Sequence, residues 1–129
     1  MIKFRVGDTR LKTAQLETEI PDENESVLAV GHPGGQYNSV TFGNIIDYDE
    51  IASKTEDKEL GKVMIDVLWH TAHIEKGSSG GALYNAELKI IGLNYASSVN
   101  ENDEFQYGFS IPGKIIAEFI EDVFSQNAK

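Results

Sequence analysis

Ser79 stands in the string Lys76-Gly77-Ser78-Ser79-Gly80-Gly81-Ala82-Leu83, with one glycine two residues before it and two directly after. Glycine adopts positive φ without a Cβ penalty and lets backbone approach a ligand closely. A serine on such a turn presents its hydroxyl, and nearby N–H groups, here those of Gly77 and Ser79, can point at a developing oxyanion. That is the equipment of acyl transfer with serine as the nucleophile. The same string also reads as a plain Gly/Ser turn between two strands, and its spacing alone does not separate the readings.

A serine is a weak nucleophile at neutral pH unless a base stands beside it. The chain has three histidines, His32, His70 and His73. His32 falls in a turn before Pro33 and reads as a surface residue. His70 sits on a strand, packed or exposed. His73 lies six residues before Ser79. No arrangement of these with Asp47, Asp49 or Asp66 has a spacing that favours a self-contained triad. No pair of histidines has the i, i+4 helical spacing of hydrolytic zinc sites, so no metal and no other cofactor is expected. With no cysteine there is no disulfide, no thiolate zinc site and no cysteine nucleophile.

The elements that must position Ser79 read as short strands. Ile2, Phe4 and Val6 alternate with Lys3 and Arg5, which predicts a strand at the start of the chain. A polar connector over 7–18 follows, then an acidic surface turn, Pro21 to Glu25. Strands are predicted over Ser26–Val30 and Ser39–Tyr48, the latter with Gly43 marking a bulge or a close backbone approach. Residues 49–61 are charged and read as a loop. Val63–Ala72 reads as a strand running toward the serine turn, with Trp69 as core. Gly81–Tyr84 and Lys89–Tyr95 form a hairpin, Ser97–Glu104 a polar loop, and Phe105–Ile111 a last strand. One helix follows, with Ser110 as its cap and Pro112 in its first turn. Ile115, Ile116, Phe119, Ile120, Val123 and Phe124 recur at helical spacing and predict a core-facing stripe.

Six or seven short strands and one terminal helix argue for an all-β domain, an antiparallel barrel or sandwich. The 129 residues suffice for one domain with its own core. With 21 acidic against 11 basic side chains, the net charge of −10 repels phosphate backbones and anionic lipid surfaces. No apolar run reaches the ~18 residues of a membrane span. The first residues lack the apolar stretch of a signal peptide, and the chain reads as a piece that begins inside structure.

Several ordered segments together resemble one family. Gly77-Ser78-Ser79-Gly80-Gly81-Ala82-Leu83 resembles the Gly-x-Ser-Gly-Gly nucleophile motif of trypsin-like serine peptidases, with Ser78 in place of the asparagine usual in the HtrA (Deg) branch. Ala29-Val30-Gly31-His32-Pro33-Gly34-Gly35, Val40-Thr41-Phe42-Gly43-Asn44-Ile45-Ile46, Ile90-Ile91-Gly92-Leu93-Asn94 and Tyr107-Gly108-Phe109-Ser110-Ile111-Pro112 resemble further segments of that branch, in the same order. The resemblance implies the second, C-terminal six- or seven-stranded antiparallel barrel of the chymotrypsin-like fold. Residues 1–24 would be a remnant strand and inter-barrel connector, 25–111 the barrel, and 112–129 the terminal helix.

By the same resemblance Ser79 is the nucleophile, and Gly77 and Ser79 supply the oxyanion-hole N–H groups. His73 lies at the floor of the primary specificity pocket, Tyr95, Ala96 and Ser97 form the edge that pairs with an extended peptide, and Gly108 to Ser110 form the opposite wall. The family draws its base His and orienting Asp from a first barrel, so by the resemblance both are expected to be missing from this chain. Peptide or protein substrates are therefore expected of a two-barrel parent, with this chain inert alone. The other reading is a non-catalytic peptide- or partner-binding module on the same barrel. In either case an exposed barrel face is expected to meet the absent first barrel or a second copy.

Overall fold

A computed structural model describes residues 4–32, 39–54 and 62–127. Among the described residues six antiparallel strands precede one helix: β1 (Ser26–Gly31), β2 (Ser39–Lys54), β3 (Lys62–His70), β4 (Ala82–Asn85), β5 (Ile90–Val99), β6 (Phe105–Pro112) and α1 (Gly113–Asn127). The pairing order is β1-β2-β3-β6-β5-β4, and β4 pairs back onto β1, so the ladders close into a ring.

Alternation along the strands builds the interior. Val27 and Ala29 of β1 point inward and are buried with Ile45, Leu68, Ala72, Ile74, Leu83 and Ile91. Removing that apolar surface from water is the main favourable term in holding the ring together. Leu28 and Val30 take the other face. Leu28 lies between Phe42 of β2 and Tyr84 of β4, and Val30 lies opposite Val40. Phe42 is 75% exposed and Val40 48%, so among the described residues this outer row is an uncovered apolar face.

Gly43 answers to a close backbone approach. A Cβ there would lie 2.2 Å from the amide nitrogen of Ala72 and 2.5 Å from the carbonyl carbon of Thr71. The approach is sealed by hydrogen bonds: Thr71 N–H donates to the Asn44 carbonyl at 3.0 Å, and Asn44 N–H donates to Thr71 Oγ1 at 2.9 Å. Here the chain leaves β3 and starts toward the serine turn.

Several boundaries depart from the sequence reading. Asp49–Lys54 continues β2 instead of opening a loop, because it pairs with Lys62–Val67 as a two-stranded ribbon whose ladder runs on past the pairings to β1 and β6. Asp49, Glu50 and Asp66 are exposed on a paired backbone, a pattern that looks like loop in sequence. β5 likewise runs on through Ser97 to Val99, paired with β6. β3 stops at His70, two residues early.

Of the predicted first strand, Met1 to Lys3 lie outside the described residues, and Phe4 to Val6 are exposed and in no strand. Alternation alone does not make a strand without a neighbour to pair with. The connector instead forms a parallel bridge, Leu16 to Ile90.

The helix start is also corrected. Pro112 ends β6, α1 opens at Gly113, and Ser110 is buried within β6 instead of capping the helix. Of the helical stripe, Ile116, Ile120 and Val123 are half-buried, while Ile115, Phe119 and Phe124 are exposed. The stripe is wider than the contact α1 makes with β5 and β6, so its flanks face solvent.

Candidate active site

The Ser79 turn is built from two tight backbone reversals. Ser78 N–H donates to the Glu75 carbonyl at 2.9 Å, and Gly81 N–H donates to the Ser78 carbonyl at 3.0 Å. Gly77 and Gly80 carry φ of 102° and 87°, the left-handed region that only glycine enters cheaply. This is why glycine flanks Ser79 on both sides. Ser78 is buried, its hydroxyl against Gly31, where a Cβ would lie 2.9 Å from Ser78 Oγ. Ser79 is exposed.

β5 holds the turn from below. Gly80 N–H donates to the Asn94 carbonyl at 2.8 Å, and Asn94 N–H donates to the Gly81 carbonyl at 2.9 Å. Ser79 Oγ donates to the Tyr95 carbonyl at 3.3 Å. Tyr95 is the extra residue of a bulge: Asn94 faces Ser110 across the β5–β6 ladder, and the next partners are Ala96 and Phe109. Such a bulge re-aims a carbonyl, here toward the serine hydroxyl. The N–H groups of Gly77 and Ser79 meet no acceptor among the described residues.

Beside the turn lies a cavity of about 730 Å³ lined by His73, Ile74, Glu75, Lys76, Ser97, Val99, Asp103, Glu104 and Phe105. It brings His73 and Ser97 together. His73 Nε2 lies 2.9 Å from Glu75 Oε1, and its ring lies 4.7 Å from that of Phe105. The His73 carbonyl accepts from Thr41 Oγ1 at 2.7 Å. Both side chains of the His73–Glu75 pair are largely exposed, so the pair orients the ring more than it stabilises the fold. Ala96 and Ser97 follow the bulge, in a stretch of β5 whose ladder with β4 has already ended at Leu93.

Gly108 is not on the cavity wall. It is buried under His70, and a Cβ there would lie 2.3 Å from His70 Cε1. His70 itself is wholly enclosed. Its Nε2 donates to Asn94 Oδ1 at 3.1 Å, and Ser110 Oγ donates to the same oxygen at 2.7 Å. Asn94 Nδ2 has no partner among the described residues. His70 Nδ1 has no hydrogen-bond partner among the described residues. Burial is the chief cause that lowers the His70 imidazole to about 4, against the opposing pull of Asn94 and the Ala72 backbone. The ring is therefore neutral at neutral pH, and its one short contact is to Asn94, not Ser79.

Trp69 is half-buried, edge-on to Phe109 at 4.8 Å and 5.7 Å from Tyr107. His32 is exposed beyond β1. Sequence reasoning gave Asn94 no role at the site and missed its bond to Ser110 beneath the turn. The available signal was a lone amide ending the apolar run Ile90-Ile91-Gly92-Leu93. It also missed Glu75, Asp103, Glu104 and Phe105, which only the fold brings to one cavity.

The sequence matches the family described as trypsin-like peptidase domain over residues 1–93. It is 33% identical over 104 residues to the serine protease Do-like HtrA of Bacillus subtilis, covering 79% of this chain and 22% of that protein. It is 37% identical over 105 residues to the Do-like HtrB of the same organism, covering 81% and 22%. The chain thus spans about a fifth of the length of these curated relatives. Among solved structures, the active form of the Rv3671c protease from M. tuberculosis superposes with a TM-score of 0.71 at 20% identity, covering 86% of this chain and 48% of that one. The HtrA-type protease AlgW, solved with a decapeptide, gives 0.69 at 28% identity, covering 87% and 33%.

Proposed function

The chain belongs to the family of trypsin-like peptidase domains, in its HtrA branch, and on that premise we propose that it is the nucleophile-bearing barrel of a serine endopeptidase. The observation that carries this reading is the Ser79 turn: an exposed hydroxyl between two glycines of positive φ, with the N–H groups of Gly77 and Ser79 unclaimed among the described residues. In this reading Ser79 attacks the scissile carbonyl, and those two N–H groups receive the oxyanion that forms. The closed ring of ladders, residues 25–111, is then the second barrel of the chymotrypsin-like fold, residues 1–24 the connector leading into it, and 112–129 the helix that ends it.

The substrate is an extended peptide. Tyr95, Ala96 and Ser97 offer it a strand edge, and the cavity at His73 receives a side chain next to the reacting bond. Gly108 makes room for the ring of His70 on the neighbouring strand β3.

The base is not supplied by His70, which is enclosed and bonded to Asn94, nor by His73, which is paired with Glu75. We place the base His and orienting Asp on a first barrel that docks on the outer row of Tyr84, Leu28, Phe42, Val30 and Val40. The test joins this chain to the N-terminal barrel of an HtrA relative and assays cleavage of an unfolded protein. The joined protein cleaves, Ser79→Ala abolishes cleavage, and the 129 residues alone are inert. Turnover by the chain alone that is lost with Ser79→Ala would show that it carries its own base. A joined, folded protein that binds peptide but cleaves nothing would favour the non-catalytic binding module.

A further inference from the structure

We infer that Asn94 is a positioning residue for Ser79, and that the buried His70–Asn94–Ser110 cluster exists to pin the β5 bulge on which the serine turn rests. The inference rests on the reading of Ser79 as nucleophile and goes beyond it to a residue that touches no substrate. Three strands converge here, β3 through His70, β5 through Asn94 and β6 through Ser110, and all three side chains are at least 98% buried. Polar groups this deep are costly unless hydrogen-bonded. The cluster leaves Asn94 Nδ2 and His70 Nδ1 unbonded among the described residues, an expense that a purely apolar core would avoid. The barrel also keeps glycine at position 108, where any Cβ would collide with the His70 ring.

What the cluster holds is specific. Asn94 Oδ1 accepts from Ser110 Oγ on the neighbouring strand β6 and from His70 Nε2 on β3, the strand beyond β6, so its side chain is tied across two strands and a slip in register breaks both bonds. The Asn94 main chain then clamps Gly80 and Gly81, the two residues directly after Ser79. The next residue, Tyr95, bulges and turns its carbonyl to the Ser79 hydroxyl. A ladder slip at Asn94 would displace the acceptor of Ser79 and both anchors of the turn together. Burial of the cluster keeps water from replacing these bonds.

The experiment is native-state amide exchange by NMR on the 129-residue chain, with Asn94→Ala and, should that variant not fold, Ser110→Ala. The expected result is exchange at the Gly80 amide faster by roughly five- to tenfold, the scale of one hydrogen bond's net contribution, beyond any change at the hydrogen-bonded Ile45 amide of β2, the strand farthest from β5 around the ring. A purely structural loss speeds every protected amide alike, and that outcome, or an unchanged Gly80, overturns the inference. Iodoacetamide alkylation of the Ser79→Cys variant across pH separates the two levels. If that thiol ionises as an ordinary one, the N–H groups of the turn do not stabilise an anion and the nucleophile reading weakens, while Gly80 exchange still decides whether Asn94 positions the turn. If the thiol is acidic, Asn94→Ala raises its pKa, and the apolar control Ile91→Val leaves it in place.

Discussion

At the scale of single residues, His70 carries the clearest pH signature. Its folded pKa of about 4 lies below the 6.5 of the free side chain, because burial disfavours the charged ring. Between these values the unfolded chain holds a proton that the folded chain refuses. The stability tied to neutral His70 is therefore complete above pH 6.5 and drains away as pH falls toward 4. The loss at pH 5 is about 2 kcal/mol relative to pH 7.5. Urea unfolding at those two pH values reads it, and His70→Gln, which keeps a donor for Asn94, should flatten the difference. An equal drop in the variant would assign the pH dependence to other groups.

At the scale of elements, the contact between β2 and the start of the serine loop decides whether the turn is presented at all. Gly43 lets the two backbones touch, and the colliding atoms on the far side are main chain, which cannot swing aside as a side chain would. Gly43→Ala should therefore cost about 3 kcal/mol or more, at the upper end of overpacking losses. Thermal unfolding followed by circular dichroism measures it, and a melting temperature within a degree or two of the parent would refute the close-contact argument. The β2–β3 ribbon and the long β5 show the opposite case, elements held by backbone pairing where side chains carry little signal.

At the scale of the whole molecule, the outer row of Tyr84, Leu28, Phe42, Val30 and Val40 is apolar surface without a cover among the described residues. Two copies of the chain can bury it against each other, opposed by a net charge of −10 on each. Association in sedimentation velocity should thus grow with protein concentration and with salt, which screens the repulsion. Phe42→Asp should hold the protein monomeric at concentrations where the parent dimerises. A parent that stays monomeric at high concentration and high salt would remove self-association as a role for this face.

Much of this protein is decided locally and is legible in its residues. The serine turn is written in glycines because its φ angles demand them, and the inward alternation of β1 follows from period two. Gly43 signals its own close contact. What only the tertiary structure decided depends on partners far away in the chain. Asp49–Lys54 became half of a ribbon because another strand lay beside it, and Phe4 to Val6 formed no strand because none did among the described residues. Ser110 turned from an expected helix cap into a donor to Asn94, 16 residues away, and the bare Cα of Gly108 makes space for an imidazole from another strand. Spacing along the chain reports φ, ψ and period. Which buried polar groups meet across three strands is fixed only when the ring closes.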